Sequence, residues 1–157
     1  MNAERFRRDL ELAMARYDER DENGKVIQEH VFWNDDASNR VLVIENVELP
    51  DNINQDHTNV RIPVPSNLYD PVADGQYYFY RDIYIDPGLK VFDPAEKKFV
   101  TIPLYGDRPR RRTGDDGWRY ISIHPPRADE HTTVLDYLRM LQVYLASCLK
   151  YNYRRFY

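Results

Sequence analysis

Thr132-Thr133-Val134-Leu135-Asp136-Tyr137-Leu138-Arg139-Met140-Leu141-Gln142-Val143-Tyr144-Leu145-Ala146-Ser147-Cys148-Leu149 is the stretch on which the reading of the fold turns. Val134, Leu138, Leu141, Leu145 and Cys148 recur at alternating steps of four and three, and Leu135 and Leu149 widen the stripe. That period puts one apolar face on an α-helix of about five turns, which must be covered by the rest of the chain. Thr132 or Thr133 can cap its start. Asp136, three residues after Thr133, stands where a capping box places its acid.

The other end of the chain carries the same signal. Phe6, Leu10, Ala13, Met14 and Tyr17 predict a first helix, with Arg7, Arg8, Asp9 and Glu11 between them. Asp21-Glu22-Asn23-Gly24 ends it or turns the chain. Between the helices the pattern changes to strands. Val26 to Trp33 and Val41 to Val47 are rich in β-branched and aromatic residues, and Asn34 to Asn39 reads as the hairpin loop between them. Leu49-Pro50-Asp51-Asn52 is a turn. Asn59 to Val64 is the next strand, and Pro63 and Pro65, which cannot donate ladder hydrogen bonds, should end it or hold it at an edge.

Gln76 to Ile85 reads as one aromatic strand. Alternation would put Tyr77, Phe79, Ile83 and Ile85 on the core face and Tyr78, Tyr80, Asp82 and Tyr84 on a wetter one. Leu89 to Phe92 and Phe99 to Leu104 form a further short pair around Asp93-Pro94-Ala95-Glu96. Tyr105 to Gly117 is loop, followed by a short ordered run, Trp118 to His124. Pro125 and Pro126 stop it, and His124, preceding a proline, should be extended. The expected class is therefore α+β: an N-terminal helix, an antiparallel meander of about four strands, a long irregular segment and a C-terminal amphipathic helix.

Composition bounds what such a domain does. Its 157 residues suit one domain, 1–157, with one core. Apolar residues at 42% and charged ones at 31% argue against disorder. A formal net charge of −4 gives no general pull towards nucleic acid or an anionic membrane. The first residues lack the apolar core of a signal peptide, and no apolar run is long enough to cross a bilayer. Cys148 is the single cysteine, so no internal disulfide is expected, and no Cys/His spacing suits zinc. The expected compartment is the cytoplasm, with neither metal nor cofactor. Thirteen tyrosines against six phenylalanines suit either a small sheet or an interaction surface.

Three local features resemble the ubiquitin-conjugating (E2) family. Ile62-Pro63-Val64-Pro65-Ser66-Asn67-Leu68-Tyr69-Asp70-Pro71 is similar to the stretch where a meander strand ends at a proline and enters a Tyr-Pro turn, although Asp70 here separates Tyr69 from Pro71. An aromatic strand, Tyr77 to Ile85, follows. Gly117-Trp118-Arg119-Tyr120-Ile121-Ser122-Ile123 then leads through a short loop to the last helix, and Ser122 falls where the family holds its catalytic cysteine. Trp118, Ser122 and His124 resemble the bacterial branch of the family, in which a tryptophan precedes a Ser-x-His element. The likeness spans roughly Val41 to Leu145. The cysteine itself is absent, since Cys148 belongs to the helix stripe, and the His-Pro-Asn element of the family has no counterpart. Thioester chemistry is therefore not expected.

The resemblance implies a carrier in a bacterial ubiquitin-like modification pathway, of the kind found in antiphage defence. Its partners would be a ubiquitin-like protein and an E1-like activating protein. The residues allow a serine version of that chemistry. Serine needs an adjacent base, and in extended chain Ser122 and His124 share a face with Cα atoms roughly 7 Å apart, which an imidazole can bridge. Asp115, Asp116 or Asp129 could orient the histidine. Arg108, Arg110, Arg111 and Arg112, with Tyr78, Tyr80 and Trp118, make a candidate partner surface, because arginine and aromatic residues are enriched at interfaces. Two other readings stand beside this one. The domain could bind a partner through that surface without catalysis, or it could be an unrelated small α+β interaction or inhibitor protein.

Overall fold

The computed structural model describes residues 1–103 and 117–149. In chain order these form α1 (Ala3–Tyr17), β1 (Glu19–Arg20), β2 (Val26–Gln28), β3 (Val31–Trp33), β4 (Val41–Glu48) and β5 (His57–Pro63). There follow β6 (Pro71–Ala73), β7 (Gln76–Tyr77), β8 (Ile83–Ile85), β9 (Lys90–Asp93), β10 (Lys98–Thr101), β11 (Arg119–Ile121) and α2 (Val134–Ser147). The class is α+β, with a helix near each end and sheets whose pairings are antiparallel. No helix among the described residues is long and apolar enough to cross a membrane.

The central sheet has five strands in the order β11-β8-β5-β4-β3, so each strand lies beside the next in sequence among those that build it. Leu42 and Ile44 of β4 point to the core, and Val47, an odd position, does so too. A side-chain period of two would expose Val47. A bulge between Ile44 and Val47, with Asn46 at φ 60°, inserts the extra residue that restores the phase. The Asn46 amide is held by Asn59 Oδ1 at 3.2 Å. β5 contributes Val60 and Ile62 to the same face and ends at Pro63, as the missing proline donor requires.

Both helices cover this face. α1 buries Phe6, Asp9, Leu10 and Ala13, and α2 buries Val134, Tyr137, Leu138, Leu141 and Leu145. Thr133 is the cap of α2, and its box with Asp136 is complete: the Thr133 amide donates to Asp136 Oδ2 at 2.8 Å. Thr133→Ala removes one half of that box and should lower stability by about 1 kcal/mol, read as a shift in the urea midpoint. At the other end of α2, Asn52 Nδ2 donates to the Leu145 carbonyl at 3.0 Å, which satisfies one of the carbonyls a helix terminus leaves open.

Three sequence expectations change. Val26 to Trp33 is two strands, because β2 pairs with β1 and β3 with β4. Gln76 to Ile85 is not one strand. β7 pairs with β6 and β8 with β5 and β11, and between them the Tyr78 carbonyl and amide bond Tyr69 and Asp70 at 2.8 and 3.0 Å. The alternation therefore breaks, and Tyr80 and Tyr84, expected on a wet face, are 0% and 2% exposed. His124 is not extended: its φ is 42°. The β9–β10 pair forms as expected, with Phe92 opposite Phe99. The loop with the four arginines and the chain beyond Leu149 lie outside the described residues.

Candidate functional site

β11 fixes the position of Ser122. Arg119, Tyr120 and Ile121 pair with Ile85, Tyr84 and Ile83 of β8, and Ile121 and Ile123 are buried. Two inward isoleucines leave the residues between and beyond them facing outward. Ser122 is half-buried and His124 is exposed. Ser122 Oγ lies 2.8 Å from His124 Nε2. In the tautomer that carries its proton on Nδ1, the imidazole accepts from the serine hydroxyl at Nε2, which is the geometry a general base needs.

The backbone reaches this contact by an unexpected route. His124 at φ 42° occupies the left-handed region, which costs a non-glycine residue about 1 kcal/mol or more. The following Pro125 disfavours the helical alternatives for His124 as well. The turn swings the imidazole back over Ser122, so the pair meets without the extended span that the sequence suggested.

Of the acids expected to orient the histidine, Asp115 and Asp116 lie outside the described residues. Asp129 is committed elsewhere: its Oδ1 accepts from Thr132 Oγ1 and the His131 amide, both at 2.8 Å. The Thr132 hydroxyl, chiefly, holds that carboxyl below the usual range. Asp129 thus shapes the turn before α2. Among the described residues no carboxylate hydrogen-bonds His124.

Beyond the pair, the chain runs along a cleft of about 400 Å³ lined by Phe79, Pro126, Arg127, Asp129, Thr132 and Met140, among others. The Arg127 guanidinium lies 4.6 Å from the ring centre of Tyr78. Of the residues expected to form a partner surface, half-buried Tyr78 stands beside this cleft, and half-buried Trp118 precedes β11. Tyr80 does not belong to any surface. It is buried, and its hydroxyl donates to Asp9 Oδ2 at 2.7 Å. Arg108, Arg110, Arg111 and Arg112 lie outside the described residues.

Cys148 is buried, and burial pushes its thiol up to about 11, so it is not a nucleophile at neutral pH. Among the described residues no group of His, Cys, Asp and Glu side chains converges as a metal site would require.

The residues that hold the region together are Asp9 and Arg5, and the sequence reading did not single them out. Asp9 is 1% exposed. It accepts from Tyr69 Oη at 2.6 Å, from Tyr80 Oη at 2.7 Å and from the Val134 amide at 3.0 Å. Burial raises its pKa, and the three hydrogen bonds and Arg5 oppose that rise. Arg5 donates through Nη2 to the carbonyls of Asp129 and Thr132 at 2.8 and 2.9 Å. Its guanidinium also covers the Tyr69 ring at 3.9 Å. One turn of α1 thus clamps the Tyr69 turn, Tyr80 and the start of α2. The available signal was a carboxylate on the apolar stripe, one turn after Phe6 and beside Leu10.

Comparison with known protein families, with curated proteins and with solved structures finds no match.

Proposed function

We propose that this chain is a ubiquitin-conjugating-like carrier of a cytoplasmic bacterial modification pathway, in which Ser122 takes an acyl group as an oxyester. The observation that supports this most is the 2.8 Å contact between Ser122 Oγ and His124 Nε2 at an outward-facing strand end. An isolated serine hydroxyl is a weak nucleophile, and a bonded imidazole is the commonest remedy. In the reaction, Ser122 Oγ attacks the C-terminal carbonyl of a ubiquitin-like protein held as a thioester on an E1-like activating protein. The Oγ–C bond forms and the C–S bond breaks. The hydroxyl proton goes to His124 Nε2 and then to the departing thiolate. An acceptor amine would later displace Ser122. The left-handed turn at His124 fits this reading, since strained backbone concentrates at working sites.

Asp129, the described acid expected to orient His124, is held by the Thr132 hydroxyl and the His131 amide instead, which favours a second reading, a binding module that keeps the surface without the chemistry. The two separate in one experiment. The wild type and Ser122→Ala are co-expressed with the products of the neighbouring genes, and intact mass is measured before and after mild alkali. The expected result is a modifier-sized adduct on the wild type that alkali removes and Ser122→Ala lacks. An active activating protein in the sample with no adduct on the wild type would reject the carrier reading.

A further inference from the structure

β3 is an outer strand of the central sheet and pairs on one side with β4. Among the described residues no strand pairs with its other side. A strand in a ladder directs backbone N–H and C=O groups to both sides, so such an edge is a template for another strand. Proteins usually blunt exposed edges by keeping them very short, or with lysine, proline or a covering loop. β3 is three residues long with Val31 buried, but it contains neither lysine nor proline and exposes Phe32 at 43% and Trp33 at 42%. Between this strand and the end of α1 runs a groove of about 190 Å³, lined by Met14, Asp18, Glu29, Val31, Phe32 and Trp33. Its floor is apolar and its rim is acidic.

The charge around the edge says what fits it. Asp18 and Glu29 line the groove. Asp18 Oδ1 accepts from the His30 amide at 2.7 Å, and along the sequence from Asp18 to Asp36 seven carboxylates stand against Arg20 and Lys25. Glu19 and Glu45 are engaged by His30, at 3.1 and 3.3 Å. Glu29 and Asp35 are exposed on either side of the strand. A second copy of this chain would bring the same acids against these, and like charges across an interface are costly. A basic segment meets no such cost.

We propose that the outer edge of β3 docks an extended, lysine- or arginine-bearing segment of another protein, which adds to the sheet as a further strand and places an apolar side chain in the groove. Main-chain bonds would supply affinity, and the groove and acidic rim would supply selection, as in other strand-addition complexes. This surface is independent of Ser122.

The test uses the full chain and a fluorescently labelled decapeptide of alternating lysine and valine, followed by anisotropy. Controls are the same peptide with glutamate for lysine and a version N-methylated at alternate residues, which cannot complete a ladder. The lysine peptide should bind, weaken as salt is raised, and lose at least about tenfold in affinity on Glu29→Lys/Asp35→Lys. Both of those side chains are exposed, so the variant keeps the fold. Trp33→Ser should weaken it comparably, Ser122→Ala should leave it unchanged, and neither control peptide should bind. Equal binding of the N-methylated or glutamate peptide would overturn the proposal, as would indifference to the charge reversal. So would sedimentation showing a dimer that Trp33→Ser dissolves, since the edge would then belong to a second copy.

Discussion

Asp9→Ala should cost this protein about 3–5 kcal/mol of stability, because it leaves three buried donors unpaired at about 1–3 kcal/mol each. The substitution deletes the acceptor for two buried tyrosine hydroxyls and for the Val134 amide at the start of α2. Each donor would then pay its desolvation without a partner. Against a typical total of about 5–15 kcal/mol this is a large fraction. Urea unfolding followed by circular dichroism measures it. Asp9→Asn keeps the shape and one carbonyl oxygen and should lose about 1–3 kcal/mol. A loss for Asp9→Ala below about 1 kcal/mol would show that the clamp does not bear on stability. The two variants also differ from wild type in pH response. The folded protein holds the Asp9 proton more firmly than the unfolded chain, whose value is near 3.8. The stability from this group is therefore full below the unfolded value and declines as pH rises through the folded one. Asp9→Asn should remove that decline.

The second large effect is expected at His124, in activity rather than stability. His124→Asn should reduce formation of the Ser122 adduct by about 10²–10⁴-fold, the usual contribution of a general base. Asparagine tolerates the left-handed backbone that His124 adopts at φ 42°, so the melting temperature should hold within about 2 °C. His124→Ala should lose adduct equally but unfold more readily, since alanine fits that backbone less well. The contrast separates the imidazole from the turn. Rates come from the time course of the modifier-sized mass shift with excess activated donor. Adduct formation that is unchanged in His124→Asn would remove the histidine from the chemistry even if Ser122 were confirmed as the acceptor.

The parts of this fold that could be read in the sequence are those decided by neighbours along the chain. α2 follows from the spacing of its leucines, and Thr133 and Asp136 close the predicted box. The β9–β10 hairpin and the end of β5 at Pro63 follow from turn residues and from the missing proline donor. What could not be read was decided by distant partners. Tyr80 sits on the alternation that suggested water, yet it is buried because Asp9, 71 positions earlier, takes its hydroxyl. Its ring stacks on Tyr137 at 5.4 Å. The Ser122–His124 contact was visible as a spacing, but the turn that makes it contradicts the local preference before Pro125. Local preference yields where tertiary contacts outweigh about 1 kcal/mol.

The Asp9 clamp also bears on the order in which the chain assembles. In the central sheet β3, β4, β5, β8 and β11 each meet the next in sequence, so its ladders close over comparatively short stretches of chain. The bonds from Asp9 to Val134 and from Arg5 to Thr132 join residues 125 and 127 positions apart. Closing so long a loop carries an entropic cost that is recovered only once both ends are already shaped. Contact order would have the meander form early and the two helices latch across it last, an order that φ-values near zero at Asp9 would show. A device that acts after the barrier governs how long the native state survives rather than how fast it is reached, so Asp9 would serve this protein chiefly as a brake on unfolding.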